Sequence, residues 1–428
     1  MSEFKTVRGM RDFLPQDART LRYVEAKTRE VAELYGYREI VTPVVESYEL
    51  LTAKAGDEIR SRMFTFKDLG KRQVALRPEF TASIARIVAT TLRNEPKPFR
   101  LFCAGSVYRY DEPQKGRYRE FWQSDYEIVG SNSAEADVEI ILLTHRLMRA
   151  VGLWRFAFKI GHIGVLRGIL SQEGLDEKVQ NSVMQLMDKK RYEDAFDLLT
   201  DGGISKRAAD VLRSLIEIKG NSPFETVEKI EACVKGYEKS AEAAANLRKI
   251  LRLVVDSGCN IDITVDAGFA RGLEYYTGLI FEVYVPEMGT ALGGGGRYDR
   301  LIELFGGEPT PATGVAHGLD RIMLALQGER ADTQTLKRAV TIIPLKEELR
   351  SEALRISEML RNAGTPVEIE VMGRKIAKAL EDADRRGVSH VVIVGERELK
   401  ENAVVVRNLA KREQVVVKIE KLAKALMD

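Results

Sequence analysis

The chain has 428 residues, of which 44% are hydrophobic and 30% charged, and its formal net charge is +2. A chain of this length is expected to form two or three domains, and it lacks the run of roughly 18 apolar residues that predicts a membrane span. The near-neutral charge does not by itself indicate a nucleic-acid partner, because a basic face can be balanced by an acidic one.

Cysteine usage and the N-terminal sequence indicate the compartment. The N-terminus lacks the basic and apolar regions of a signal peptide, and Cys103, Cys233 and Cys259 form no CxxC pair. Neither a zinc site nor a disulfide framework is therefore indicated. We expect a reduced, cytoplasmic protein that is not bound to a membrane and has no protein cage of metal ligands.

The first third of the chain predicts a helix followed by strands. Apolar residues at helical spacing predict a helix over 17–35, and 38–43 has the pattern of a strand ended by proline. Two short alternating runs within 63–77 predict a hairpin. Residues 99–130 predict two further strands around a charged loop at 111–119.

The middle of the chain changes character. Residues 163–256 are rich in Lys, Glu, Leu and Ala and have few strand signals, which predicts an inserted helical domain. Strands are predicted again at 261–265 and 279–284, and a helix is predicted at about 314–327.

A polar run at 328–337 predicts a linker. Beyond it, apolar strand-like segments alternate with segments of helical spacing as far as residue 428. This alternation predicts a small α/β domain with a mixed sheet.

Charged residues lie inside several strand-like segments. Arg109 follows Val107 and Tyr108, and Glu127 lies among apolar residues before Val129. Such groups are costly to bury unless they are paired or bound to something. Taken singly, each charge is explained as well by a structural ion pair or a solvated sheet face as by a binding site. Charges on several neighbouring strands, however, favour a polar pocket.

Three segments rich in small residues could accept a ligand. Residues 270–278 combine two tyrosines with two glycines, 293–299 begin with four consecutive glycines, and 313–324 alternate small residues before Arg321. Each also has a plain structural explanation: a turn, a flexible loop, or close helix packing with a surface arginine. Neither GxxxxGK[ST] nor a Rossmann-type GxGxxG is present.

The four histidines do not form a catalytic or metal-binding set. His317 has no partner at triad or metal-ligand spacing, and we expect it to be structural, as we do His145, His162 and His390. The residues alone therefore predict a nucleotide-phosphate site on an antiparallel sheet, because arginine suits bidentate phosphate contacts. They do not define a reaction.

Read in order, the motifs resemble those of histidyl-tRNA synthetases over essentially the whole chain. The class II signals are motif 1 at 37–43, motif 2 at 108–121 and motif 3 at 314–321. The more specific signals are the N-terminal motif at 8–15, LRPE-x-T at 76–81, RGLEYYTG at 271–278 and GGGRYD at 294–299.

The resemblance implies an α+β fold, in which a class II catalytic domain has a central antiparallel β-sheet flanked by helices. The implied domains are the catalytic domain at 1–162 and 257–327, the helical insertion at 163–256, the linker at 328–337 and a C-terminal α/β anticodon-binding domain at 338–428. It also implies a homodimer that joins L-histidine to tRNA(His) with ATP as a substrate and Mg²⁺ as a cofactor.

The resemblance assigns the histidine site position by position. Glu79 and Gln123 would hold the α-amino group, with Thr81 nearby, and Glu127 and Tyr276 would bind the imidazole. The full implied set of histidine-binding residues is Glu79, Phe80, Thr81, Arg109, Gln123, Glu127, Arg271, Tyr275 and Tyr276.

The resemblance also assigns the ATP site. Arg109 would contact the α-phosphate and the histidine carboxylate, Arg271 would contact the α-phosphate as the main catalytic cation, and Arg321 would hold the γ-phosphate. Arg109 and Arg271 are thus the implied catalytic residues. The implied ATP-binding set is Arg109, Asp111, Arg117, Phe121, Gly294, Gly295, Gly318 and Arg321.

Three positions depart from the family pattern. Asp111-Glu112 replaces a Glu-Arg pair, which leaves the residues that read the tRNA acceptor end unassigned, and Asp320 stands where Glu is common. The main alternative is a non-catalytic paralogue that regulates ATP phosphoribosyltransferase, which typically lacks the anticodon-binding domain and has eroded histidine motifs. Related synthetases for threonine, proline or glycine are a second alternative, against which RGLEYYTG argues.

Overall fold

The computed structural model describes residues 4–53, 57–114, 116–271, 275–329 and 340–426. The chain divides into two compact units, residues 1–331 and 332–428. Residues 272–274 of the RGLEYYTG motif, Lys115 of motif 2 and residues 330–337 of the predicted linker lie outside the described residues. None of the described helices combines the length and apolar composition that a membrane span requires.

The first unit is built on one large sheet. Its strands are β1 (Arg38–Glu39), β2 (Val45–Ser47), β3 (Thr65–Lys67), β4 (Gln73–Leu76), β5 (Phe99–Tyr108), β6 (Glu120–Val129), β7 (Ala157–His162), β8 (Lys219–Gly220), β9 (Ile263–Asp266), β10 (Leu279–Tyr284), β11 (Ala291–Arg297) and β12 (Ala312–Gly318). The large sheet has the order β1-β5-β6-β12-β11-β10-β7-β9-β8, and β2-β4-β3 form a smaller sheet. The pairs β1–β5 and β7–β9 are parallel, and the centre is antiparallel. The predicted central antiparallel sheet is confirmed.

Helices flank this sheet. They are α1 (Pro15–Leu34), α2 (Tyr48–Thr52), α3 (Asp57–Ser61), α4 (Thr81–Ala89), α5 (Ala134–Val151), α6 (Ile163–Gln172), α7 (Glu177–Asp188), α8 (Tyr192–Asp201), α9 (Lys206–Glu217), α10 (Pro223–Cys233), α11 (Glu238–Asp256) and α12 (Leu319–Glu329). Helices α6 to α11 fall within the segment 163–256, and their buried side chains join the same core as α1 and α5. The assignment of that segment as a separate inserted domain stays a prediction.

The side-chain alternation of β6 creates one apolar and one polar face. Successive residues of a strand point to opposite faces of the sheet. Tyr126 and Ile128 pack into the core shared with α1 and α5. Gln123, Asp125 and Glu127 therefore point to the opposite face, where they line a cavity.

The glycine run at 293–296 is part of a central strand, β11, so the alternative explanation as a flexible loop does not apply. Strand β11 pairs with β10 on one side and with β12 on the other. A Cβ atom built on Gly293 would lie 2.9 Å from the Ala316 carbonyl oxygen, and one on Gly295 would lie 2.8 Å from the Val315 Cα. Glycine is thus required here because neighbouring backbones approach too closely for any side chain.

The prediction of a helix at about 314–327 was wrong for its first residues. Residues 312–318 form β12, and helix α12 begins only at Leu319. Thr313 to Gly318 pair with both β6 and β11, so tertiary pairing outweighs the local small-residue spacing that suggested a helix. Arg321 still lies on the helix, as predicted.

The helix predicted at 17–35 and the hairpin predicted within 63–77 are confirmed, with small shifts of their ends. Helix α1 covers most of 17–35, and β3 and β4 pair as the predicted hairpin. The strand predicted at 38–43 was too long, because β1 ends at Glu39. The carbonyl oxygens of Thr42 and Pro43 instead accept hydrogen bonds from the Arg77 guanidinium group, at 2.7 and 3.4 Å.

The second unit is a smaller α/β structure. Its elements are β13 (Val340–Pro344), α13 (Arg350–Asn362), β14 (Val367–Ile369), α14 (Ile376–Arg385), β15 (His390–Val394), α15 (Glu396–Lys400), β16 (Ala403–Asn408), β17 (Glu413–Lys418) and α16 (Leu422–Ala425). The strand order is β14-β13-β15-β16-β17. The first two pairs are parallel and the last two are antiparallel, which confirms the predicted mixed sheet.

The close packing of β11 predicts that Gly295→Ala destabilises the first unit. The added methyl group would overlap the backbone of β12, and such overpacking costs about 1–3 kcal/mol. Urea unfolding measures the loss. Gly328→Ala is the matched control, because its methyl group would meet no atom within 4 Å. Equal stability of the two variants would contradict the packing argument.

Candidate active site

One cavity of about 340 Å³ gathers most of the predicted site residues on the polar side of β6. Those that line it are Glu79, Thr81, Arg109, Asp111, Arg117, Phe121, Gln123, Glu127, Arg271, Tyr275, Tyr276, Gly294, Gly318 and Arg321. Phe80 and Gly295 do not line the cavity. Phe80 is buried in a separate apolar cluster with α4 and β5, and Gly295 packs against β12.

Small residues on β11 and β12 make room for the charged side chains. Gly314 pairs with Glu127 across β12 and β6, and a Cβ atom on Gly314 would overlap the Glu127 carboxylate. A Cβ atom on Gly294 would likewise overlap the Arg271 guanidinium group. Each of these two charged side chains therefore lies over a glycine, where a larger residue would collide with it.

Glu127 lies at the buried end of the cavity and is only 2% exposed. One carboxylate oxygen accepts a hydrogen bond from the Thr81 hydroxyl at 2.9 Å, and the other accepts one from the Tyr298 hydroxyl at 2.5 Å. Burial raises the pKa of Glu127 to about 8, although these two donors oppose the shift.

Glu79 and Arg109 lie near each other in the same cavity. The Arg109 Nη2 atom is 3.8 Å from a Glu79 carboxylate oxygen, and Arg109 Nε donates to the Pro78 carbonyl oxygen at 2.9 Å. Burial raises the pKa of Glu79, and the Arg109 cation opposes that shift. The Arg109 guanidinium carbon also lies 5.4 Å from the centre of the Phe121 ring.

Arg271 is held beside the glycine strand. Its Nη1 atom donates to Glu282 at 3.1 Å and to the Phe281 carbonyl oxygen at 3.4 Å, both on β10. These contacts fix the guanidinium group in the cavity, and its side chain remains 22% exposed. A ligand can therefore reach it.

Arginines form a second charged group in the cavity, made by Arg109, Arg117, Arg271 and Arg321. Arg321 donates to the Ala291 carbonyl oxygen at 2.7 Å from the start of α12. Burial lowers the pKa of Arg321, and the charges of Arg117, Arg109 and Arg271 lower it further. Mutual repulsion among neighbouring cations is relieved by a polyanion, and arginine suits phosphate geometry.

Asp111 offsets part of this positive charge. It lies 3.1 Å from Arg62 and 3.5 Å from Arg117. The family resemblance placed Asp111 in the ATP-binding set, and in the structure its carboxylate lies close to two arginines that line the cavity.

The structure adds residues that the sequence analysis did not assign to the site. The cavity is also lined by Arg62, Asp125, Asp188, Glu282, Tyr298 and Asp320. The period-two alternation of Gln123, Asp125 and Glu127 along β6 could have identified Asp125. Asp188 comes from the end of α7, and no local pattern connects it with the strands.

Two of the histidines are buried away from this chemistry. His317 lies 3.1 Å from the Thr144 hydroxyl, and burial lowers its pKa to about 3. His162 accepts a hydrogen bond from the Gly164 amide at the start of α6, and burial lowers its pKa to about 4. Both positions fit the structural role that we expected.

Comparisons with known proteins agree with this geometry. The family model for histidyl-tRNA synthetase matches residues 9–322, and the model for an anticodon binding domain matches residues 339–428. A histidine–tRNA ligase of Methanocaldococcus jannaschii is 42% identical, with 98% of each chain aligned.

Two solved structures extend the comparison to the fold. The histidyl-tRNA synthetase of Nostoc sp. PCC 7120 superposes with a TM-score of 0.81 at 26% identity, covering 100% of this chain and 99% of that one. A Bacillus halodurans protein described as an ATP phosphoribosyltransferase regulatory subunit/histidyl-tRNA synthetase gives 0.77 at 27% identity, covering 89% and 97%.

The antiparallel sheet and its matches define a class II aminoacyl-tRNA synthetase, which is a ligase. Within that class, the chain belongs to the histidyl-tRNA synthetase family.

The raised pKa of Glu127 predicts a pH-dependent stability. A carboxyl group with a folded-state pKa of about 8, above its ordinary value of 4.5, stabilises the folded state at low pH and loses that contribution as pH rises. The stability of Glu127→Gln relative to the native chain should therefore increase between pH 4.5 and 8, measured by urea unfolding across that window. A difference that does not change with pH would contradict the assigned shift.

Proposed function

We propose that this protein catalyses ATP-dependent activation of L-histidine to histidyl-adenylate and its transfer to the 3′ end of tRNA(His), with release of pyrophosphate and AMP. The observation that carries the proposal is one cavity lined by a group of carboxylates, Glu79, Asp125 and Glu127, here called the carboxylate end, and by a group of four arginines, here called the arginine end, with Arg109 close to both groups. Histidine carries an ammonium cation and an imidazole that can donate a hydrogen bond, and ATP carries phosphates, so the two ends suit the two substrates.

The carboxylate end would bind histidine. Glu127 and Tyr276 would bind the imidazole, with Tyr275 lining the same pocket. A buried acceptor distinguishes histidine from analogues that cannot donate a hydrogen bond, because those analogues leave the acceptor unpaired. Glu79 and Gln123 would hold the α-amino group beside Thr81, whose hydroxyl also fixes Glu127. We assign Phe80 no contact with the substrate.

The arginine end would bind ATP. Arg109 would contact the α-phosphate and the histidine carboxylate, and Arg271 would contact the α-phosphate from the opposite side of the cavity. Arg321 and Arg117 would hold the outer phosphates. Phe121 would stack on the adenine, and Gly294 and Gly318 would leave space for the adenosine.

The proposed chemistry needs no protein nucleophile. A histidine carboxylate oxygen attacks the α-phosphorus, the bond to the β-phosphate oxygen breaks, and pyrophosphate leaves. The terminal ribose hydroxyl of the tRNA then attacks the aminoacyl carbonyl carbon, and AMP leaves. Arg109 and Arg271 contribute by positioning the reactants and by neutralising charge that develops on the phosphate.

Mg²⁺ fits this arrangement as an ion held mainly by substrate. No group of three His, Cys, Asp or Glu side chains that could hold a metal occurs among the described residues. Phosphate oxygens are suitable Mg²⁺ ligands, and Glu282, which pairs with Arg271, is a carboxylate that lines the cavity. The ion would neutralise phosphate charge.

The remaining partners follow from the second unit and from motif 1. The match to an anticodon binding domain supports contact of residues 339–428 with tRNA(His). We further propose a cytoplasmic homodimer joined through motif 1. Val41 in that motif is 88% exposed, Val44 and Val45 beside it are 38% and 43% exposed, and a contiguous exposed apolar patch favours an interface.

Amino-acid-dependent ATP–pyrophosphate exchange tests the proposal directly. We expect exchange with L-histidine and with none of the other nineteen amino acids, because only histidine satisfies the acceptors at the carboxylate end. Absence of exchange from a folded sample would favour the regulatory paralogue, and direct binding to ATP phosphoribosyltransferase would then be measured.

Arg271→Ala should slow adenylate formation by about 100-fold or more, because it removes a cation aimed at the developing charge. Single-turnover measurement of histidyl-adenylate gives the rate, and calorimetry shows whether histidine still binds. Arg300→Ala is the matched control, since Arg300 is 68% exposed and does not line the cavity. A near-native rate for Arg271→Ala would exclude the proposed role.

A further inference from the structure

Asp125 is a buried carboxylate that the proposed function does not use. It lies on the cavity face of β6, between Gln123 and Glu127, and its relative exposure is 0%. Neither of its carboxylate oxygens accepts a well-formed hydrogen bond from any residue that the structure describes. A buried polar group without such a partner is costly, so its retention requires a reason.

The positive charge near Asp125 does not offset its burial and the negative charge around it. Burial raises its pKa, and the neighbouring carboxylates of Glu127 and Glu79 raise it further. The Arg109 cation and the Phe80 backbone N–H only partly oppose that shift. A cationic ligand group would therefore satisfy Asp125 and reduce the repulsion among the three carboxylates.

We propose that Asp125 binds the α-ammonium group of the amino-acid substrate, as a third acceptor beside Glu79 and Gln123. An ammonium group carries three N–H donors, and these three side chains supply three acceptors on one side of the cavity. The inference rests on the proposed function, since it takes histidine as the ligand of this pocket.

The imidazole of histidine is a less suitable partner for Asp125 than the α-ammonium group. Both Glu127 oxygens already have donors, in Thr81 and Tyr298, so that end is fixed without Asp125. The α-ammonium group also carries a full charge at neutral pH, whereas an imidazole is largely neutral there. The group with the permanent charge gains most from a second carboxylate.

Three ligands separate the ammonium contact from other effects. Calorimetry measures the binding of L-histidine, of histidinol, which keeps the amino group and lacks the carboxylate, and of 3-(imidazol-4-yl)propionate, which lacks the amino group. Asp125→Asn should weaken L-histidine and histidinol by about ten- to a hundredfold, because a charged hydrogen bond is lost. Binding of the propionate and of ATP should be unchanged.

Ser124→Ala is the matched control, because Ser124 is the adjacent buried residue on the opposite face of β6. It should leave the binding of all ligands unchanged. If Asp125→Asn does not fold, Asp125→Ser provides the same comparison.

Equal weakening of all three ligands, or unchanged binding of L-histidine, would overturn the assignment of Asp125. Failure of the native chain to bind L-histidine would overturn the proposed function as well, so the two failures are distinguishable.

Discussion

The close approach of β11 and β12 is the constraint on which the site depends. Positions 294 and 314 must carry no side chain, because a Cβ atom at either one would overlap Arg271 or Glu127. Two central strands can then lie side by side while a guanidinium group and a carboxylate lie directly over their backbones. The polar floor of the cavity thus results as much from the missing side chains as from the charged ones.

The charges of opposite sign lie on different elements, with Asp125 and Glu127 on β6 and Arg321 on α12. Buried carboxylates repel one another at one end, and Arg321 is affected by the charges of three other arginines at the opposite end. Burying like charges close together is unfavourable unless groups of opposite charge bind beside them. The same arrangement is already oriented toward ligands of the complementary sign, so little reorganisation is needed when they bind. This preorganisation favours a reaction between a phosphate compound and an amino acid.

The sequence predicted those parts of the site that depend on local pattern or on motif. Arg109 and Glu127 were identifiable as charges within strands, and the motifs assigned most of the residues that line the cavity. The sequence did not predict the strands at β11 and at residues 312–318. Glycine and alanine have low strand propensity there, and only pairing with distant strands fixes the conformation. Asp188 was missed for a related reason, since its place in the cavity depends on how α7 packs.

The N-terminal segment shows how distant parts of the chain fix the cavity. Arg11 forms an ion pair with Asp320, whose other oxygen accepts a hydrogen bond from the Trp122 backbone amide at 2.6 Å. The Arg11 guanidinium carbon also lies 3.7 Å from the centre of the Tyr118 ring in motif 2. The Asp320 side chain therefore joins the beginning of α12 to the beginning of β6, and Arg11 holds Asp320 and Tyr118 together beside that junction. Since β6 carries Asp125 and Glu127 and α12 carries Arg321, these contacts tie together the two elements that carry charges of opposite sign in the site.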